Sequence, residues 1–207
     1  MNLRTERFQL SGAAGAIEAL RDLPAVPSVG VAVIAHPHPL FGGTMENKVV
    51  QTLARAFVQC GWTAVRFNFR GVGASAGEHD KGPGEIDDMD AVIRAVAPEG
   101  PLALAGFSFG SYVASQVLPA LWSSRTIAKV VLVGTAVSRF PVAPLPLEAH
   151  DRTLVIHGEE DDTVPLADVM DWARPQSLPV TVVPAGGHFF HGQLPLLKSL
   201  VVRHLRS

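Results

Sequence analysis

The chain has 207 residues, 47% of them hydrophobic and 17% charged, with a formal net charge of -2. That is enough apolar chain to bury one core, so a single domain spanning 1–207 is expected, and the lack of a basic balance argues against a nucleic-acid or anionic-membrane partner. One cysteine, Cys60, excludes an internal disulfide framework and any multi-cysteine metal site.

The first residues, Met1 to Arg7, show no apolar segment behind a basic start, and no stretch is apolar for long enough to span a bilayer. A soluble, cytoplasmic protein is therefore expected; its oligomeric state is not legible. From Arg4 to about Leu23 the pattern predicts two antiparallel strands turned by Ser11-Gly12-Ala13-Ala14-Gly15, although Ile17-Glu18-Ala19-Leu20 could also begin a helix. Val29 to Ala35 is an unbroken apolar run, as expected of a strand covered on both faces by helices. A loop, His36-Pro37-His38-Pro39-Leu40-Phe41-Gly42-Gly43, leads to a predicted helix from Glu46 to Cys60, stopped by Gly61. Trp62 to Phe69 is the next strand, and a glycine-rich loop through Gly84 precedes a helix from about Glu85 to Val96. A strand ending near Phe107 and a helix to about Leu121 follow, then a buried strand over Ile127–Val133. Three prolines, Pro141, Pro144 and Pro146, prevent a long helix over Ala136–Asp151. Arg152–His157 is a strand, Leu166–Ala173 a short helix, Val180–Val183 the last strand and Leu194–Leu205 a closing helix. Such alternation predicts an α/β fold with a mostly parallel sheet and helices on both faces, its reactive groups at the carboxyl ends of the strands.

One of those ends reads Gly106-Phe107-Ser108-Phe109-Gly110 between an apolar run and a helical pattern. The order matches a nucleophile elbow, a sharp strand-to-helix turn that lifts a serine oxygen above the sheet. The flanking glycines make room for the turn, and the Phe109 amide, opening the next helix, is a candidate oxyanion donor. Further on, His157-Gly158-Glu159-Glu160-Asp161-Asp162 leaves a strand with four carboxylates in a row. Asp161 is the candidate triad acid and Asp162 the alternative, since a triad acid must hold a histidine in one tautomer. Gly186-Gly187-His188 follows the last strand and supplies the candidate base, His188, with His191 as a second possibility. Ser108, Asp161 and His188 stand in the chain order of this elbow architecture.

The loop after the first long strand should hold a second oxyanion donor. Pro37 and Pro39 carry no N–H, which leaves His38, Leu40, Phe41 or a following glycine, with Leu40 as the candidate. His36 and His38 lack a convincing third ligand, so no metal is expected. Gly71-Val72-Gly73-Ala74-Ser75-Ala76 satisfies a dinucleotide fingerprint on its face, but no helix starts close enough to receive a pyrophosphate, and a tight loop beside the active site is expected instead. Cys60 ends a helix, the wrong end for an activated thiol.

Together the His36–Met45 phrase, Asn68-Phe69-Arg70-Gly71-Val72-Gly73, the elbow, Asp161-Asp162-Thr163-Val164-Pro165 and Gly187-His188-Phe189-Phe190 resemble the α/β-hydrolase superfamily over nearly the whole chain. They are most similar to its small bacterial members related to dienelactone hydrolases and carboxylesterases. The resemblance implies an eight-stranded sheet, a triad of Ser108, Asp161 and His188, and hydrolysis of small-molecule carboxylic esters or thioesters without a cofactor. Larger members insert a helical lid where this chain has only Ala136–Asp151, so the resemblance implies an open, lidless site. An acyltransferase using the same triad, or a non-catalytic binding protein on the same fold, would carry the same residues. Phe41, Phe107, Phe109, Phe189 and Phe190 adjoin the motifs and would make the acyl pocket apolar.

Overall fold

The apolar runs that alternate with helical patterns form one sheet. In the computed structural model, which describes residues 5–207, its strands are β1 (Thr5–Gly12), β2 (Gly15–Asp22), β3 (Val31–Ala35), β4 (Thr63–Phe67), β5 (Leu102–Phe107), β6 (Ile127–Val133), β7 (Thr153–Gly158) and β8 (Val180–Val183). They lie in the order β1-β2-β4-β3-β5-β6-β7-β8. The first two pairings, β1 with β2 and β2 with β4, are antiparallel, and all others are parallel. Arg4, where the first strand was expected to begin, lies outside the described residues. Ile17–Leu20 is strand and not helix, because all four residues pair with β1 and Ala19 and Leu20 pair with β4 as well.

Among the described residues five helices cover the sheet: α1 (Lys48–Gln59), α2 (Pro83–Val96), α3 (Phe109–Trp122), α4 (Leu166–Ala173) and α5 (Leu194–Arg206). Helices α1 and α5 pack Leu53, Phe57, Leu197 and Val201 on one face, while α2, α3 and α4 pack Met89, Ile93, Val113 and Val169 on the other. The central strands bury both faces, which is why they read as unbroken apolar runs. Along β3, Val33 and Ala35 join the second cluster and Ala32 and Ile34 the first. Among the described residues no helix is long and apolar enough to cross a membrane.

Boundaries shift where side chains compete for the backbone. Helix α1 starts after Asn47, whose Oδ1 accepts the Val49 and Val50 amides at 2.8 and 3.4 Å. Helix α2 starts two residues early, at Pro83, with the Glu85 carboxylate taking the Gly82 amide at 2.8 Å. Strand β4 stops at Phe67 because Asn68 and Phe69 leave the ladder: the Asn68 side chain bonds Met45 and Glu18, and the Phe69 amide bonds His36. Between β6 and β7 the chain makes a turn at Val137–Arg139 and one 3-10 turn (Leu147–Arg152), and it buries Val142, Leu145 and Ala149 directly on the core. Among the described residues no lid stands over the carboxyl ends of the strands.

Candidate active site

Ser108 is the single residue between β5 and α3, and its backbone sits at φ 55°, ψ −117°. A side chain with a Cβ is strained there. The turn holds because the Ser108 amide donates to the Val133 carbonyl at 2.8 Å and its own carbonyl accepts the Ser111 amide at 2.9 Å. Both elbow glycines are needed for close approach. A Cβ on Gly106 would come within 2.3 Å of the Gly110 backbone, and one on Gly110 within 2.3 Å of the Ala35 carbonyl oxygen. The elbow is therefore seated against the end of β3.

The loop after β8 brings His188 over this serine. Its Nε2 lies 3.0 Å from Ser108 Oγ, and its Nδ1 lies 2.7 Å from Asp161 Oδ2 in the loop after β7. The carboxylate can only accept, so Nδ1 carries the proton and Nε2 is left to receive one from the serine. Asp161 is itself fixed: its Oδ1 accepts the amides of Thr163 at 3.0 Å and Val164 at 2.8 Å. Burial raises its pKa, but the bonds from His188 and the Val164 amide and the two nearby imidazoles outweigh that and hold it below the ordinary carboxylate value. The alternatives stay outside: Asp162 and His191 are exposed, and neither reaches the serine.

Sequence reasoning missed His157. This penultimate residue of β7 is fully buried; its Nε2 donates to the Val164 carbonyl at 2.9 Å and lies 3.5 Å from Asp161 Oδ2. Burial pushes its pKa down, so it stays neutral beside the acid. In the sequence it is an ordinary strand residue, and only the fold of the acidic loop brings it beside Asp161.

His36 is also buried and neutral. Its Nδ1 donates to the Pro37 carbonyl at 2.6 Å and its Nε2 accepts the Phe69 amide at 3.1 Å, so both nitrogens serve the protein and not a metal. Burial pushes its pKa down to about 3. Because the unfolded chain takes up this proton near the usual 6.5 and the folded one does not, stability is complete above that value and falls as the pH drops toward the folded one. By about pH 4 the loss from this group amounts to about 3 kcal/mol. Chemical denaturation across that range should show a shallower decline in a His36→Gln protein.

The oxyanion side differs from expectation at Leu40. Pro39–Phe41 forms a 3-10 turn whose first carbonyls and the His38 ring consume the neighbouring amides. The Leu40 amide donates to His38 Nδ1 at 3.2 Å, those of Phe41 and Gly43 to the His38 carbonyl at 3.1 Å, and that of Gly42 to the Pro39 carbonyl. Leu40 is 72% exposed and does not line the site, so it is not placed as a donor. Among the described residues, the amides of His38, Phe109 and Gly110 have no acceptor, and His38 and Phe109 line the same cavity as Ser108.

A cavity of about 400 Å³ opens over Ser108 and His188. Phe41, Phe109 and Phe189 line it, as the motifs suggested, whereas Phe107 and Phe190 are buried beneath. Phe140, from the proline-rich stretch, was not foreseen: its ring stacks on Tyr112 at 5.0 Å and meets Phe109 at 4.9 Å. His79, from the glycine-rich loop, packs on His38 and Phe109, so that loop does border the site. Its fingerprint glycine, Gly73, instead sits where a Cβ would strike Asn68 and Glu18. A larger groove of about 770 Å³, lined by Arg7, Arg55, Arg66 and Lys198 among others, lies elsewhere and includes neither Ser108 nor His188.

Residues 32–154 match the family described as Serine aminopeptidase, S33. An uncharacterized protein of Rickettsia prowazekii is 31% identical over 198 residues, covering 89% of this chain and 82% of that one. Two solved structures are similar along almost their full lengths. An α/β serine hydrolase without lid from Xanthomonas campestris shares 35% identity at a TM-score of 0.87, covering 100% of this chain and 95% of the other. A serine hydrolase homologue from Coxiella burnetii shares 37% at 0.82, with 97% of each chain covered. Together with the sheet order and the absence of a lid, these matches show that the chain belongs to this serine hydrolase family, as a small member of the α/β-hydrolase superfamily.

Proposed function

We propose that the protein hydrolyses carboxylic esters, and thioesters of similar size, through an acyl-enzyme formed on Ser108. One observation carries this reading: a single imidazole, His188, spans a buried carboxylate at 2.7 Å and a strained serine hydroxyl at 3.0 Å on the floor of an open cavity. His188 Nε2 takes the hydroxyl proton as Ser108 Oγ bonds to the acyl carbon, and Asp161 stabilises the imidazolium. The carbonyl oxygen, now negative, takes hydrogen bonds from the Phe109 amide at the start of α3 and from the free amide of His38. Each such donor is typically worth about 3 kcal/mol of barrier. Collapse of the tetrahedral intermediate breaks the ester bond and passes the proton from His188 to the leaving alcohol. Water then repeats the steps against the acyl-serine and releases the acid.

A fluorophosphonate tests the reading directly. It should label the wild type at one site, mapped to Ser108 by peptide mass, and leave the Ser108→Ala protein unlabelled. No reaction, or reaction at another side chain, would remove the proposal. A panel of esters graded in acyl length then defines what the apolar cavity accepts.

A further inference from the structure

The polar lining of this cavity is one-sided. Around Ser108 and His188 stand Asn47, Arg139, His38 and Thr163, and none of the lining residues is an aspartate or glutamate. Asn47 spends its oxygen on the start of α1, which leaves its NH₂ group as a donor. His38 spends Nδ1 on the Leu40 amide, so its remaining nitrogen carries the proton. Arg139 is the one fully charged side chain of the lining, and among the described residues no carboxylate pairs with it. Burial and the neighbouring His79 push the His38 pKa down and outweigh the Glu85 carboxylate behind them, so the ring adds no second charge at neutral pH. The backbone that carries the guanidinium is fixed: the amides of Arg139 and Phe140 both close on the Ala136 carbonyl, at 3.1 and 3.0 Å, and Phe140 is locked against Tyr112.

An α-ammonium placed in such a cavity meets a cation and a row of donors, with no carboxylate in the lining to neutralise it. A carboxylate meets a planar guanidinium suited to two parallel bonds. We propose that the cavity selects esters bearing a carboxylate at the end that reaches Arg139, and that it disfavours the aminoacyl substrates implied by the description of the matched family. The inference rests on the ester-hydrolase reading for its chemistry, but the charge selection can be measured without turnover.

The test compares 4-nitrophenyl hemiesters of succinate, glutarate and adipate with neutral esters of matching length and with an aminoacyl 4-nitrophenyl ester. These are run on the wild type and on Arg139→Ala, Arg139→Lys and Arg139→Glu. Arg139 is exposed, so the variants should fold normally. The wild type should favour its best hemiester over the neutral match by about tenfold in kcat/KM, less at high salt. Arg139→Ala should bring the ratio close to one, Arg139→Lys should restore most of it, and Arg139→Glu should turn the preference toward the aminoacyl ester. In parallel, calorimetry on Ser108→Ala should show monobenzyl adipate binding about tenfold more tightly than on Ser108→Ala/Arg139→Glu.

Ratios and binding that ignore residue 139 overturn the inference, and if Ser108-dependent ester hydrolysis persists, the hydrolase reading survives alone. Binding that depends on Arg139 without turnover of any ester leaves the charge selection standing and removes the hydrolase reading. Neither binding nor turnover overturns both.

Discussion

In the Ser108→Ala protein, hydrolysis of a small activated ester should fall by about 10⁵–10⁶-fold, to what the oxyanion donors and binding alone supply. Loss of the whole nucleophile leaves His188 and Asp161 with no hydroxyl to activate, so kcat should collapse and KM should change little. Stability should barely move, because alanine keeps the Cβ and therefore the strain of φ 55°, ψ −117°. Ser108→Gly separates the two effects. It is as inactive, but a residue without a Cβ adopts this conformation at little cost, and its thermal midpoint should exceed that of Ser108→Ala, by about 1 kcal/mol in unfolding free energy. Substantial turnover in either variant would mean that the acyl group is carried elsewhere. A less stable glycine variant would mean that the elbow stores no strain.

Asp161→Asn should cost about 10⁴-fold in kcat with the fold intact. The two carboxylate oxygens of Asp161 have different partners. Oδ1 is held by the Thr163 and Val164 amides, both donors, so an asparagine would put its own oxygen there and turn its NH₂ toward His188. That NH₂ needs an acceptor at His188 Nδ1, which drives the ring proton to Nε2 and blocks it from receiving the serine proton. The activity lost should return in part at high pH, where hydroxide can substitute for the missing base. The variant should also change the response to acid. A carboxyl held below its ordinary value lends stability above its unfolded pKa and loses it as the pH falls through the folded one. Unfolding curves of the wild type should therefore converge on those of Asp161→Asn in acid. Wild-type rates in this variant would show that His188 does not depend on Asp161 for its tautomer.

The contrast between Ser108 and Leu40 shows how far local pattern reaches. The elbow is legible because strand, turn glycines and helix are contiguous, and the backbone of one short segment dictates the geometry. The donor across the site is not, because Leu40 depends on which acceptors its neighbours leave free. The His38 ring captured that amide, a choice made by a 3-10 turn that no periodicity signals. The choice of Asp161 and His188 over Asp162 and His191 is of the same kind, since neighbours in a loop differ by where the loop packs.

By itself, then, the order of residues determined the strand and helix alternation, the doubly covered central strands and the strained serine, all set by periods of two and 3.6 and by contiguous turn chemistry. Only the tertiary structure decided that His157 lies beside the acid, that Phe140 walls the cavity with His79 packed behind His38 and Phe109, and that Arg139 faces it without a counter-charge. His79, Arg139, Phe140 and His157 come from three stretches far apart in the chain, around residues 79, 139–140 and 157–161, and their meeting depends on sheet order and crossover packing, which no local pattern encodes.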